Sequence, residues 1–382
     1  MIDWPVPAFA TCGKGIEPFL GMEMKELEFQ EVEIRSGGVA FKASRSDLYR
    51  ANLCLRTAIR VLLPLVDAVV ASSDDLYEMV GSFDWTRIMT PDQTLAVDAN
   101  VRDSAITHSQ YAARRVKDAI CDQFVRKVGR RPSVNPQQPS VALNLHVSRN
   151  RAVVSLDSSG SSLHKRGYRV AQPAAPLAES LASALVAASG WPGTLPLVDP
   201  FCGSGTIGIE GAFRVLGIPP GLTRSFAFQG WREYRADVFS AMREKLRSGN
   251  PRPELPPILL SDWDDGVVKL AASCVRAAGL GHRIKPFQAD ARELALPSGP
   301  PGWILTNPPF GERIGEAKSL RNLYRQLGER IAAVATGWRV GLFTSDASLA
   351  ASFGQGLGLA SHDRVAFFHG SLACVLWRYS LA

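Results

Sequence analysis

The chain is poor in the residues that cross-link a protein or anchor it in a bilayer. Its six cysteines, at positions 12, 54, 121, 202, 274 and 374, form no Cys-x-x-Cys pair and have no histidine at ligand spacing. That pattern excludes a zinc ribbon, an iron–sulfur cluster and a disulfide framework, so no metal is expected and the thiols are read as buried and reduced. Long hydrophobic runs are also missing. The most apolar stretch, Val61 to Ala71, is interrupted by Pro64 and Asp67 and is too short to span a membrane. The start, Met1-Ile-Asp-Trp-Pro5, has neither the basic nor the apolar region of a leader, so the expected location is cytoplasmic.

What is present reads as ordinary globular protein. At 382 residues the chain is long enough for two or three domains of about 150 residues each. A composition of 46% hydrophobic and 21% charged residues argues against a disordered or fibrous chain. The net charge of +7 is unevenly spread: between His108 and Arg169 twelve Lys/Arg face only Asp118, Asp122 and Asp157, a local +9 that leaves −2 for the remainder. Concentrated positive charge suits a polyanion, because each neutralised phosphate releases counterions. A solvated helix face is the plainer explanation of such a run.

Two short stretches carry the chemistry. Asp199-Pro-Phe-Cys-Gly-Ser-Gly-Thr206 follows the apolar run Leu195 to Val198, and Asn307-Pro-Pro-Phe310 follows Trp303 to Thr306. Each is placed at the carboxyl end of a parallel strand, where open α/β sheets bind ligands. The first is a glycine-rich turn leading into a helix. Gly203-Ser-Gly205-Thr-Ile-Gly208 satisfies the G-x-G-x-x-G fingerprint of dinucleotide enzymes, so an NAD enzyme is a rival. A P-loop is excluded because no Gly-Lys-Ser/Thr follows. Against NAD, the acid expected about 20 residues later arrives only at Asp262, after an insertion. The second stretch favours a different ligand. Pro308 and Pro309 have no N–H, so the Pro308 carbonyl is held beside the Asn307 side-chain amide. Two fixed acceptors suit a group with two hydrogens, such as the exocyclic amine of a nucleobase, and Phe310 could stack on the ring.

Asp199-Pro-Phe-Cys-Gly-Ser-Gly-Thr-Ile-Gly-Ile-Glu-Gly-Ala212, with Leu305-Thr-Asn-Pro-Pro-Phe-Gly-Glu-Arg-Ile314, resembles the guanine-N2 methyltransferases that carry an amino-terminal THUMP domain, above all those acting on bacterial 23S rRNA. The resemblance continues upstream through Asp157-Ser-Ser-Gly-Ser-Ser-Leu-His-Lys-Arg-Gly-Tyr-Arg169 and Ala51-Asn-Leu-Cys-Leu-Arg-Thr-Ala58, and so covers nearly the whole chain. It implies an α/β protein: a carboxyl-terminal Rossmann-like class I methyltransferase sheet of seven strands with a terminal hairpin, preceded by ferredoxin-like and THUMP α+β domains. It also implies S-adenosylmethionine as cofactor and structured RNA, 23S rRNA first, as partner. Some relatives carry an additional methyltransferase domain at the carboxyl end, which is not expected in a chain that stops at 382. Guanine N2 in tRNA, adenine N6, and an RNA chaperone with a silent site remain alternatives.

Local patterns agree with that order. Laid over the strand and helix signals, the resemblance implies a ferredoxin-like domain over 1–60, a THUMP domain over 61–156, a polar connector over 157–172 and the methyltransferase domain over 173–382. The long helix Ser109 to Val128 has an apolar stripe at Ala112, Val116, Ile120 and Phe124. Arg114, Arg115 and Lys117 lie off it and are read as RNA contacts, joined by Lys165, Arg166 and Arg169, with Tyr168 available to stack. An insertion over 217–257 with its own helix is assigned to the last domain. In the cofactor site Asp199 would hold the ammonium of the methionine moiety, and Phe201, Gly203, Gly205 and Thr206 would line the turn. Asp262 would take the ribose hydroxyls, with Asp264 and Asp265 as alternatives, and Asp290 the adenine amine. Asn307, Pro308, Pro309 and Phe310 would present the target base. Glu210 and Glu312 are read as structural, and Cys202 as packing.

Overall fold

The computed structural model describes residues 2–171, 176–249, 254–310 and 317–382. It divides into two compact units: Met1–Cys12 with Gly21–Leu163 and Arg224–Lys245, and Gly13–Leu20 with His164–Thr223 and Leu246–Ala382.

The first part of the chain runs β1 (Val6–Thr11), α1 (Glu17–Glu26), β2 (Gln30–Arg35), β3 (Gly38–Ala43), α2 (Arg45–Cys54), β4 (Arg60–Val69), α3 (Ser73–Ser82), β5 (Thr94–Arg102), α4 (Ser109–Val128), β6 (Ser133–Val134), β7 (Val141–Ser148) and β8 (Arg151–Asp157). Local chemistry sets the helix starts. Ser44 and Ser72 each accept from the backbone three residues on, and Asp47 and Asp75 reach back to close capping boxes on α2 and α3. In α4 the expected stripe is buried, and Gly129 ends the helix in the left-handed conformation.

The strands form one eight-stranded sheet of order β2-β3-β1-β4-β8-β7-β5-β6. Two domains expected to meet at residue 60 therefore share a sheet, because β4 pairs with β1 through Arg60–Leu62 and with β8 onward to Val69. Pro64 sits inside this central strand at a register shift, where a missing N–H does least harm to a ladder.

The insertion departs from expectation too, since its segment Arg224–Lys245 belongs to the first unit rather than the last. The reason is aromatic. Phe228 stacks on Tyr49 at 4.6 Å and on Phe226 at 5.2 Å, while Phe239 meets Tyr49 edge-on at 5.6 Å. The start of the polar connector is held by buried hydrogen bonds. Asn52 Nδ2 donates to Ser158 Oγ at 2.8 Å, Ser159 Oγ donates to Asn52 Oδ1 at 2.6 Å, and all three residues are buried.

From residue 164 the chain runs α5 (Glu179–Ala188), β9 (Leu197–Asp199), α6 (Thr206–Val215), α7 (Ala236–Ser248), β10 (Ile258–Asp262), α8 (Asp265–Ala277), β11 (Phe287–Gln288), β12 (Trp303–Thr306), α9 (Ala317–Val334), β13 (Arg339–Thr344), α10 (Ala347–Leu357), β14 (Asp363–His369) and β15 (Leu372–Ser380). The sheet order is β11-β10-β9-β12-β13-β15-β14, the expected seven strands with a terminal hairpin. Strands β9 to β13 pair in parallel, and β15 runs antiparallel to both β13 and β14. Strand β11 is only two residues long, because Pro286 before it cannot donate and Asp290 after it caps a short 3-10 turn. On one face of this sheet Val198, Ile304, Tyr324, Leu327, Val340 and Phe353 join a single buried core.

Candidate active site

Strand β9 lies between β10 and β12, so the chain leaves its carboxyl end in one direction and later returns on the other side. Such a reversal opens a crevice above the strand ends. Here it is a cavity of about 1520 Å³ lined by residues of the glycine-rich turn, by Asp199, Asp262 and Asp290, and by Asn307 through Phe310. The two stretches singled out in the sequence, a hundred positions apart, are walls of one cavity.

The glycine-rich turn is held from behind. Gly203 and Gly205 adopt φ of +52° and +77°, a region that L side chains rarely occupy. The Gly203 N–H donates to Asp262 Oδ2 at 3.2 Å, and the Cys202 N–H to the Ser261 carbonyl at 2.9 Å. The turn is thereby tied to β10, and α6 starts at Thr206 with its amino end toward the cavity wall.

Asp199 is 1% exposed; its Oδ1 accepts from Thr306 Oγ1 at 2.8 Å and from the Phe201 N–H at 3.2 Å, while its Oδ2 is buried without a hydrogen-bond partner. Burial pushes this carboxyl up to about 7; the Thr306 and Phe201 bonds offset only part of the effect, and the Asp262 charge adds to it. Burial also raises Asp262, against the N–H groups of Asp264 and Gly203. Asp264 accepts from the Val267 N–H at 2.9 Å as the cap of α8, and Asp265 pairs with Lys269, so of these acids it is Asp262 that lines the cavity. Asp290 lines it too, but both its oxygens face Arg292, whose guanidinium holds the carboxyl below its ordinary range.

Thr306 is buried at the end of β12, and the Oδ1 of the next residue, Asn307, is buried with no hydrogen-bond partner. Pro308 is buried and Pro309 exposed, and the Pro309 carbonyl accepts from Tyr324 Oη at 3.3 Å. Phe310 packs on the core as a partly buried side chain. Residues 311–316, which include Glu312, lie outside the described residues.

The expected RNA contacts divide. Arg114 and Lys165 are exposed, Arg115 pairs with Asp74 at 2.7 Å and lies 4.5 Å from the Tyr77 ring, and Lys117 pairs with Asp118. Three others are not at the surface for RNA. Arg166, with its side chain 1% exposed, lies 3.5 Å from the fully buried Glu210; Tyr168 Oη donates to that same carboxylate at 2.9 Å; and Arg169 Nε pairs with Glu179 at 3.0 Å. Two acids buried under the glycine-rich turn need counter-charges, and the cluster that looked like an RNA arm supplies them. Glu210 also accepts from Ser183 Oγ at 2.5 Å.

Sequence reasoning also passed over Trp263, Arg292, Asp346, His369 and Leu372, all of which line the cavity. The sequence held one signal for Trp263, its place directly after Asp262; its 70% exposure, unusual for a tryptophan, shows only in the fold.

A parallel sheet closed by an antiparallel hairpin, with an acid ending β9, another ending β10 and an Asn-Pro-Pro-Phe loop after β12, defines the class as Rossmann-like methyltransferase. Solved structures agree: SMU.472, solved as a complex with SAH, superposes with a TM-score of 0.90 at 26% identity over 100% of this chain and 99% of its own. A possible methylase of Clostridium difficile 630 gives 0.90 at 26% identity over 99% and 98%. Residues 166–375 match the RMKL-like methyltransferase domain, 70–157 the THUMP domain and 8–62 the RlmL ferredoxin-like domain, and the chain belongs to the RMKL-like family. The ribosomal RNA large subunit methyltransferase K/L of Syntrophotalea carbinolica is 40% identical over 100% of this chain and 54% of that protein; its counterpart in Methylococcus capsulatus is 39% identical over 98% and 51%. The chain thus spans about half the length of these relatives.

Proposed function

We propose that this protein transfers a methyl group from S-adenosylmethionine to the exocyclic N2 amine of a guanine in 23S rRNA. The observation that carries the reading is Asn307 Oδ1, an acceptor buried without a partner in the wall of the cavity. An unpaired buried acceptor costs about 1–3 kcal/mol, so the site is built for a donor that comes from outside. The names of these longer relatives, ribosomal RNA large subunit methyltransferase K/L, support large-subunit rRNA as the acceptor.

The cavity also fits the cofactor. Asp199 Oδ2, the second orphaned acceptor, suits an ammonium; the turn at Gly203 and Gly205 with the amino end of α6 suits a carboxylate; and Asp262 suits ribose hydroxyls. S-adenosylmethionine, when bound, supplies a methyl carbon activated by a sulfonium. The protein's share is positioning. Asn307 Oδ1 and the Pro308 carbonyl accept the two amine hydrogens, turning the nitrogen lone pair out of conjugation with the ring, while Phe310 stacks on the base. The amine's surplus proton leaves to water, so no side chain is assigned as a base.

The test is methyl transfer to rRNA from cells lacking the gene, with modified nucleosides mapped by mass spectrometry. N2-methylguanosine in 23S rRNA is expected. Label in tRNA, in N6-methyladenosine or in no RNA would overturn the assignment. Asn307→Ala should lower transfer by about a hundredfold or more and leave SAH affinity within about twofold.

A further inference from the structure

Beneath the glycine-rich turn lies a guanidinium that the reading above does not use. Arg169 is nearly buried, its side chain 11% exposed. Its Nε donates to Glu179 Oε1 at 3.0 Å, Nη1 to Ser204 Oγ at 3.0 Å, and Nη2 to the Leu177 carbonyl at 2.8 Å and to Thr206 Oγ1 at 3.2 Å. Every arm of the fork is engaged, and two of its four partners are hydroxyls that line the cavity.

We propose that Arg169 is a positioning residue for the carboxylate of the adenosyl cofactor's amino-acid end, acting through Ser204 and Thr206. The proposal rests on the reading that the turn holds that end of the cofactor. A guanidinium only donates, so both hydroxyl oxygens must accept from it and each must direct its own proton elsewhere. Ser204 Oγ and Thr206 Oγ1 are 3.0 Å apart. One of the two protons therefore satisfies the other hydroxyl, which leaves one to be offered to the occupant of the turn. That proton sits at the amino end of the ten-residue α6, on hydroxyls held from behind by Arg169, which is itself paired with Glu179. The arrangement is polarised for an anion. Asp199 Oδ2, unpartnered in the same cavity, is the matching acceptor for an ammonium. Donor and acceptor together describe the two ends of an α-amino acid.

The experiment compares two nucleosides by titration calorimetry: SAH, which has the amino-acid group, and 5′-methylthioadenosine, which keeps the adenosine and the thioether but lacks it. In Arg169→Met, SAH affinity should fall about 10- to 100-fold while 5′-methylthioadenosine affinity and rRNA affinity stay within about twofold. Arg169→Lys retains the charge against Glu179 and should recover part of the loss. Thr206→Val keeps the shape at the turn and should lose SAH alone, which protects the test if Arg169→Met folds poorly. Equal loss of both nucleosides would reduce Arg169 to a structural residue, and no loss of either, or loss of rRNA binding alone, would overturn the proposal while the cofactor site stands. Wild-type protein that bound neither nucleoside, or both equally, would remove the reading of the turn and this proposal with it.

Discussion

At the scale of single residues the site is organised by buried oxygens. Burial keeps the proton on Asp199 up to about pH 7, whereas a cofactor ammonium favours the ionised form. Binding should therefore release a proton below pH 7, and SAH affinity should weaken by up to about tenfold per unit as pH falls from 7 to 6. Calorimetry in buffers of different ionisation enthalpy would read the proton directly. Asp199→Asn should abolish both the release and the pH dependence; a flat profile in the wild type would remove the role. The sign for stability is opposite to that of a salt-bridged carboxylate. Between the ordinary value of 3.8 and about 7 the folded state binds a proton that the unfolded state has lost, so the unliganded protein gains stability as the pH is lowered through that window. Asp199 and Asn307 were legible in the sequence because each ends an apolar run and heads a contiguous motif. Tyr324, which bonds the Pro309 carbonyl, was not. It lies fifteen residues downstream on a helix and reads there as one more apolar-stripe position. Arg166 and Arg169 were misread for a related reason: a basic cluster looks the same in a sequence whether it faces phosphate or two buried glutamates.

At the scale of elements, period-2 and period-3.6 patterns located nearly every strand and helix, and the departures have local causes. The strand read over Arg60 to Val66 contains Pro64, which β4 absorbs at a bulge while pairing with both β1 and β8 in one sheet. What no periodicity conveys is where two elements cross. A Cβ on Gly356 of α10 would stand 2.0 Å from the Arg325 carbonyl of α9, and one on Gly328 would stand 2.3 Å from the Phe353 carbonyl. The helices meet backbone to backbone, which only glycine permits. Gly356→Ala should destabilise the second unit by about 3 kcal/mol, since over-packing ordinarily costs 1–3 kcal/mol and here the clash is with backbone. Urea unfolding would show it as a lower midpoint at unchanged slope. A loss under about 0.5 kcal/mol would mean that the helices separate easily.

For the whole molecule, the concentration of charge over 108–169 survives the structure in reduced form. Two of its twelve cations, the buried Arg166 and the partly buried Arg169, face buried glutamates, and Arg115, Lys117, Lys127, Arg130 and Arg151 pair with acids from within and beyond the segment. Sequence arithmetic counts such pairs only when both partners are near in the chain, so it overstated the field. Arg114 and Arg131 are exposed and make no ion pair among the described residues. They are the better candidates for phosphate contact, and the counterion argument makes that quantitative. Each contact contributes about 0.9 to the slope of log affinity against log salt. Arg114→Ala with Arg131→Ala should therefore flatten the slope for 23S rRNA by about two, weaken binding across unrelated RNA sequences alike, and leave SAH affinity unchanged. If the slope stays as steep as in the wild type, Arg114 on α4 and Arg131 beyond its end are solvated surface and make no phosphate contact.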